Sequence, residues 1–355
     1  MIDIHEFEQR SSEELNDFIL QRKRDLGDDL VILVHHYQRP DVVAYGDLLG
    51  DSLKLARLAA EQSHAKHVLF CGVRFMAEAA DILTPDHTNV QLSAPSAGCP
   101  MADMADEEQA QKAFDAIVRT TGRPPIPVVY MNSSSELKAF CGRNGGLVCT
   151  SSNAEKAVRW AMDQGDTVLF FPDEHLGRNT AKTIGLKPEE IALWDRLSDD
   201  GELTDAQIAD ARLVLWKGFC HVHVSLTEQH VHAVRALSPD ASIVVHPECP
   251  TEVTALVDGV GSTEYIVQYL KQQPAGSEIY VGTEVHMIER MAAEYSDRII
   301  KPLSPGAVCF NMAKTTPAHI ACALAEENLG TWGHINVDAA VASDARKALD
   351  RMLEI

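Results

Sequence analysis

The sequence predicts an α/β protein made of three equivalent units, each built on a parallel sheet. Three observations predict it. Short apolar, strand-like runs alternate with amphipathic helical stretches, the pattern of βαβ units. That alternation recurs three times with the same polar punctuation. Each recurrence closes on a cysteine: Cys99, Cys220 and Cys309.

The strand-like runs fall at residues 30–34, 67–71, 127–130, 167–171, 213–216, 242–245 and 278–281, and helical patterns include 52–62, 154–163, 251–257 and 263–272. Three of the strands end in a polar triplet: His35-His36-Tyr37, Tyr130-Met131-Asn132 and His246-Pro247-Glu248. Downstream of each triplet a serine opens a helical pattern, at Ser52, Ser151 and Ser262. A second apolar strand follows, and polar residues end it: Arg74, then Asp173 to His175, then Thr283 and Glu284. The spacing agrees, with 64 residues from His35 to Cys99 and 63 from His246 to Cys309. The middle unit is longer, 90 residues from Tyr130 to Cys220. Its surplus is the polar, Asp-rich stretch near 180–212, expected to be an inserted helix–loop–helix excursion.

Composition narrows the function. With 31 basic and 52 acidic residues the net charge is −21, which argues against nucleic acid or an anionic membrane as the main partner. No run approaches the ~18 apolar residues of a membrane span, and acidic residues at 3, 6 and 8 are unlike a signal peptide. A cytoplasmic, reducing location is therefore expected. Eight cysteines there suit thiols or metal ligands better than disulfides, and none lies in a Cys-x-x-Cys pair.

In parallel α/β sheets, ligands bind beyond the carboxyl ends of the strands, near helix N-termini. Three equivalent units about a pseudo-threefold axis would bring three such ends, and one cysteine from each, to a single point. Three thiolates can hold three irons of a cubane and leave the fourth open. A single cysteine is most often a small buried hydrophobe, and Cys71, Cys141, Cys149, Cys249 and Cys322 are read that way. The equivalence of Cys99, Cys220 and Cys309 favours ligands. The triplets supply groups for proton transfer and anion binding: His35, Tyr37, His246 and Glu248, with serine and threonine hydroxyls at the helix starts. A serine before a helix is often only an N-cap, and an N-cap is also where an anion docks.

These segments resemble the quinolinate synthase family, the iron–sulfur enzymes of bacterial NAD biosynthesis. The resemblance runs in order from about residue 30 to 315. It includes Leu33-Val34-His35-His36-Tyr37-Gln38, Gly50-Asp51-Ser52-Leu53, Gly98-Cys99-Pro100, Val129-Tyr130-Met131-Asn132 and Thr150-Ser151-Ser152-Asn153. It continues through Pro172-Asp173-Glu174-His175-Leu176-Gly177, Trp216-Lys217-Gly218-Phe219-Cys220-His221-Val222-His223, Val245-His246-Pro247-Glu248-Cys249, Gly261-Ser262-Thr263 and Cys309-Phe310-Asn311-Met312.

The resemblance implies condensation of iminoaspartate with dihydroxyacetone phosphate to quinolinate, phosphate and two waters. It implies a [4Fe–4S] cluster on Cys99, Cys220 and Cys309, whose open iron assists dehydration as a Lewis acid. The implied fold is three αβα-sandwich domains in pseudo-threefold arrangement around a central active site. These are expected at 1–103, with 312–355 packing back on it, at 104–224 with the insertion near 180–212, and at 225–311. Substrate-facing groups are implied at His35, Ser52, Tyr130, Asn132, Ser151, His223, His246, Glu248, Ser262 and Thr263. Tyr37 and Glu248 are candidates for acid–base work, assisted by His35 and His246. A functional link to the L-aspartate oxidase that supplies iminoaspartate is implied as well.

Three rivals compete with that expectation. An iron–sulfur hydro-lyase of other specificity would not require the same substrate-facing set. A redox or iron-sensing protein would have no use for converging His, Tyr, Glu and Ser groups. A zinc enzyme could use Cys99, Cys220, Cys309 and His223, a sound zinc set.

Overall fold

The computed structural model describes residues 2–62 and 64–355. The chain divides into two compact units. The first holds the chain up to Cys99, Glu284–Ser296 and Val308–Val337; the second holds Pro100–Thr283, Asp297–Ala307 and Asp338–Ile355.

In the first unit, strands β1 (Leu30–His35), β2 (Leu48–Gly50), β3 (His67–Cys71) and β4 (Asn89–Leu92) form a parallel sheet in the order β4-β3-β1-β2. Ile32, Leu33 and Val34 are successive residues of β1, and all three are fully buried. A parallel strand covered on both faces needs such an unbroken apolar run, which is why period-two alternation is absent here. The helices Ile4–Glu8, Ser12–Leu26 and Pro317–Leu324 share a core with β1 and β3 through Phe7, Ile19, Ile320 and Leu324. The Ser12–Leu26 helix starts at a reciprocal capping box between Ser11 and Glu14.

The second unit holds two sheets. One contains β5 (Ile126–Tyr130), β6 (Leu147–Cys149), β7 (Val168–Phe171), β8 (Ile191–Trp194) and β9 (Leu213–Trp216), ordered β6-β5-β7-β9-β8. The other contains β10 (Ser242–Val245), β11 (Gly259–Val260), β12 (Glu278–Gly282) and β13 (Ile299–Pro302), ordered β11-β10-β12-β13. The four strands common to each repeat are therefore parallel and follow one order, second-first-third-fourth, in all three sheets. The chain is α/β with three sheets dominated by parallel pairing, and its sequence repeat is a repeat of topology. A further strand, β14 (His334–Ile335), pairs antiparallel with β4.

The seven strand-like runs of the sequence correspond to β1, β3, β5, β7, β9, β10 and β12. Of the strands the pattern did not reveal, β2, β6, β11 and β14 have only two or three residues, and β4, β8 and β13 have four. The helix expected over 251–257 is a single turn, Thr251–Thr254.

Two expectations need correction. The surplus near 180–212 is not a helix–loop–helix excursion: it contributes the parallel strand β8 beside β9, followed by the helix Asp205–Asp210. The strand-forming run Ile191-Ala192-Leu193-Trp194 buries Ala192 and Trp194 while its neighbours are less covered, the alternation of an edge strand. The tail also divides. Residues 308–337 belong to the first unit, but the last helix, Ala339–Glu354, packs on the helix Ser135–Arg143 and on β6 in the second. Its small and apolar stripe, Ala345, Ala348, Leu349 and Met352, is fully buried. Gly142 makes that approach possible, because a Cβ there would lie 1.9 Å from the Asp344 carbonyl oxygen.

Among the described residues no helix is long and apolar enough to cross a membrane.

Gly142→Ala is expected to force the two helices apart, lowering stability by about 1–3 kcal/mol, the usual cost of overpacking. Denaturant midpoints of the variant and parent would measure it. An unchanged midpoint would show that the close approach contributes nothing.

Candidate active site

Each sheet buries its length in apolar contacts, so polar side chains collect at the carboxyl ends. In the second unit, Tyr130 is the last residue of β5, and His246 and Glu248 follow β10. Tyr130 is buried, and its hydroxyl donates to Glu248 Oε1 at 2.5 Å. The other carboxylate oxygen, Oε2, accepts from His223 Nδ1 at 2.7 Å. His223 Nε2 lies 3.1 Å from Thr283 Oγ1, just past the end of β12. The His223 and His246 rings stack, with centroids 4.4 Å apart and planes 19° apart. His246 Nδ1 accepts the Glu248 N–H at 3.3 Å, so the hydrogen sits on Nε2, which donates to Ser151 Oγ at 3.2 Å. Tyr130, Glu248, His223, Thr283, His246 and Ser151 thus form one buried network.

Electrostatics divide its members. Burial alone would raise the Glu248 carboxyl, but His223, His246 and the Tyr130 hydroxyl favour the charged form and hold it near 2. Burial pushes His246 down to about 3, with nearby His223 acting in the same direction, so its ring is neutral at pH 7. Asp173, fully buried at the start of the helix after β7, is driven far above the usual carboxylate range by burial and then by the Glu248 charge. The environments of Glu248 and Asp173 thus push two carboxyls in opposite directions, an arrangement suited to acid–base chemistry.

The first unit repeats the local geometry. His35, the last residue of β1, accepts the Tyr37 N–H on Nδ1 at 3.1 Å, as His246 accepts that of Glu248. The His35 and Tyr37 rings meet edge to face at 4.9 Å. His36 Nδ1 lies 3.0 Å from the Arg290 guanidinium. The cysteine loops also repeat. Cys99 follows β4 and precedes the short 3-10 turn Ala102–Met104; Cys309 follows β13 and precedes Met312–Lys314. The Ala97 N–H donates to Ala94, and the Ala307 N–H donates to Ser304, each two residues before its cysteine.

The remaining expected residues sit at helix starts or beside the network. Ser262 caps the helix Thr263–Gln272 by accepting the Tyr265 N–H, and both Ser262 and Thr263 are buried. Ser52 is the first residue of its helix, and the cap is Asp51. Ser151 lies in the turn before the helix Ala154–Gln164, whose N-cap is Asn153. Asn132, two residues beyond Tyr130, is half-buried. His35, Tyr37, Ser52, Cys99 and Cys309 belong to the first unit; the other expected residues belong to the second. Sequence reasoning gave no role to Thr283, Asp173 or Glu284. The available signal was their shared position, polar residues just past the second long strand of a repeat.

Comparison with known proteins shows the family. A family model described as quinolinate synthetase A protein matches residues 18–354. The chain belongs to the quinolinate synthetase A family. A quinolinate synthase of Corynebacterium glutamicum is 43% identical over 353 residues, covering 99% of this chain and 90% of the relative. Quinolinate synthases of Bacillus anthracis and Bacillus cereus are each 42% identical over 346 residues, covering 97% of this chain and 94% of theirs. The chain is thus similar to these enzymes over nearly its whole length.

In this quinolinate synthetase A member, Cys220 offers its sulfur to the same place as the network. Ligand atoms of Cys220, His223 and Glu248 all lie within 4.8 Å of one another, a set able to hold a metal ion. Cys99, Cys220 and Cys309 are half-buried at loops past strand ends, whereas Cys71, Cys141, Cys149 and Cys249 are fully buried. A half-buried thiol past a strand end is open to a ligand, whereas one sealed in an apolar core is not.

Two measurements follow from these environments. Burial pushes the Cys71 thiol up to about 12 and raises those of Cys141, Cys149 and Cys249. Alkylation of the metal-free native protein at pH 8, read by mass spectrometry, is expected at Cys99, Cys220 and Cys309 and not at these four. Modification of Cys71 ahead of Cys99 would contradict it. His246 supplies the second. Its folded-state value near 3 lies below the ordinary 6.5, so the unfolded chain binds the extra proton between those values. Stability contributed by neutral His246 is complete above pH 6.5 and is lost as pH falls towards 3. His246→Gln should flatten that part of the stability–pH curve, measured by urea denaturation; an unchanged slope would show that His246 is not the group responsible.

Proposed function

We propose that this chain condenses iminoaspartate with dihydroxyacetone phosphate to form quinolinate, releasing phosphate and two waters, as a step of NAD biosynthesis. Membership of the quinolinate synthetase A family supports the product. The observation that carries the reading in this chain is the buried Tyr130–Glu248–His223 network next to the Cys220 sulfur.

Cys99, Cys220 and Cys309 would hold a [4Fe–4S] cluster through their thiolates. When bound, the cluster supplies Lewis acidity at the one iron that no cysteine ligates, which favours loss of a hydroxyl. The proposal includes three domains, at 1–103, 104–224 and 225–311, in pseudo-threefold arrangement about the cluster.

The chain's own residues would do the rest. Glu248, held ionised, is the base that takes a proton from carbon during ring closure. Tyr130 passes a proton along its short bond to Glu248, and Tyr37 supplies the second acid–base group, with its phenol set against the His35 ring. Neutral His246 donates from Nε2, to Ser151 in the free protein and to a substrate carboxylate in the complex. Ser52, Asn132, Ser151, Ser262 and Thr263 bind the carboxylates and the phosphate through neutral donors at helix starts, without a dense cationic cluster. We place the reaction in the cytoplasm, with iminoaspartate delivered by an L-aspartate oxidase.

Anaerobic preparation is expected to give about four irons and four sulfides per chain, with quinolinate formed from the two substrates. Full turnover by a colourless, zinc-loaded sample would overturn the cluster. Glu248→Gln should lower kcat by at least about 100-fold, the scale of a general base, while leaving the iron content unchanged. A Glu248→Gln enzyme with parental kcat would remove Glu248 from the chemistry.

A further inference from the structure

Each repeat places one residue at the same point, two positions past its second long strand, as the N-cap of the next helix. These residues are Val73 after β3, Asp173 after β7 and Glu284 after β12. In the first repeat the cap has no side-chain hydrogen bond. In the other two it is a carboxyl with no exposed surface. Burying a carboxyl at an N-cap is costly, and an exposed serine would cap as well. The burial therefore points to a second task.

The second task is visible in the partners. Glu284 Oε2 accepts the His286 N–H at 2.8 Å and the Met287 N–H at 3.4 Å, which completes the cap. Its Oε1 accepts from His286 Nδ1 at 2.8 Å and from the backbone N–H of Cys309 at 3.3 Å. Asp173 Oδ1 accepts the Leu176 N–H at 2.6 Å and so completes its own cap. Next to this cap, the Glu174 N–H donates to the Gly218 carbonyl at 2.8 Å, two residues before Cys220. In the first repeat the corresponding bond is present, from the Arg74 N–H to the Ala97 carbonyl at 2.9 Å, two residues before Cys99.

We infer that Glu284 is a positioning residue that fastens the backbone of Cys309 to the adjacent helix start, fixing where that thiolate points. One carboxyl spans two elements, the first turn of a helix and the loop bearing the cysteine. Neither a serine nor a threonine cap has a second oxygen to reach the loop. In the first repeat the equivalent position is Val73, which has no carboxyl, and the loop before Cys99 is held by the Arg74 N–H and by Lys314 Nζ, which donates to the Ser96 carbonyl at 2.7 Å. This inference rests on the reading that the three cysteines are ligands of one cluster.

Glu284→Ser provides the test, because serine keeps the cap and loses the Oε1 bonds to Cys309 and His286. His286→Ala removes the imidazole bond alone and so isolates the bond to Cys309. Reconstituted parent, Glu284→Ser, His286→Ala, Val73→Ala and Cys309→Ser proteins would be compared anaerobically. The readouts are iron per chain, the rate of iron removal by a chelator, and the Mössbauer or EPR signature of the cluster. Glu284→Ser is expected to lose iron at least about 10-fold faster, with an altered signature and a thermal midpoint close to the parent's. His286→Ala and Val73→Ala should match the parent. If Glu284→Ser fails to fold, Glu284→Thr, a second cap without the extra oxygen, decides the matter by the same readouts. Parental release rates and spectra in the capped variant, or equally fast loss from His286→Ala, with iron lost from Cys309→Ser, would overturn this inference alone. A parent without iron, or a Cys309→Ser protein with the full complement and parental spectrum, would overturn the cluster reading instead.

Discussion

A parallel sheet must be covered on both faces, and that requirement confines polar chemistry to the ends of its strands. Here β1, β5 and β10 bury almost every side chain along their length and release polar residues only at the last positions. His35, Tyr130 and His246 stand at these ends, and backbone bonds hold the turns beyond them. The Gln38 N–H donates to His35, the Cys249 N–H donates to His246, and the Ser133 hydroxyl donates to the Tyr130 carbonyl. With each turn so tied, the side chains one and two positions further on have little freedom. The rest of the site depends on that confinement.

Within it, Glu248 is the organising charge of the second unit. A buried carboxylate is expensive, and this one is stabilised by a phenol on one oxygen and an imidazole on the other. Its charge has consequences around it: it adds to burial in raising the Asp173 carboxyl, and it orders the tautomers of two imidazoles. His223 turns Nδ1 towards it, while His246, whose Nδ1 is taken by a backbone N–H, must carry its hydrogen on Nε2. A single ionised group thus settles the donor and acceptor pattern of its neighbours without any cation from lysine or arginine.

Much of this was legible in the sequence because the chain states it three times. Any one serine, histidine or cysteine is ambiguous, but the same residue type at the same offset in three segments is not. That is how β1, β5 and β10, their polar ends and the equivalent cysteines could be recognised. The strands of two or three residues escaped because so short a run carries no period. The edge strand β8 was hidden because Ile191–Trp194 sits among acidic residues that dominate the composition of its neighbourhood. The place of the last helix was hidden for another reason. Its apolar stripe shows that it packs, but not against what; the decisive feature is a missing Cβ at Gly142, some 200 residues earlier in the chain. The double use of Glu284 was also beyond reach, since a carboxylate before a helix looks like an ordinary cap until the loop it touches is seen.

The interleaving of the two units in the chain has a bearing on biosynthesis. The first unit draws its core from both sides of the segment Pro100–Thr283: the helix Pro317–Leu324 packs into the core that Phe7 and Ile19 share with β1 and β3. About two hundred residues separate Cys99 from Val308, which takes on the order of 10–40 s to synthesise. Until Ile320 and Leu324 emerge, that core lacks part of its cover, so the first unit reaches its final packing only after most of the second has been made.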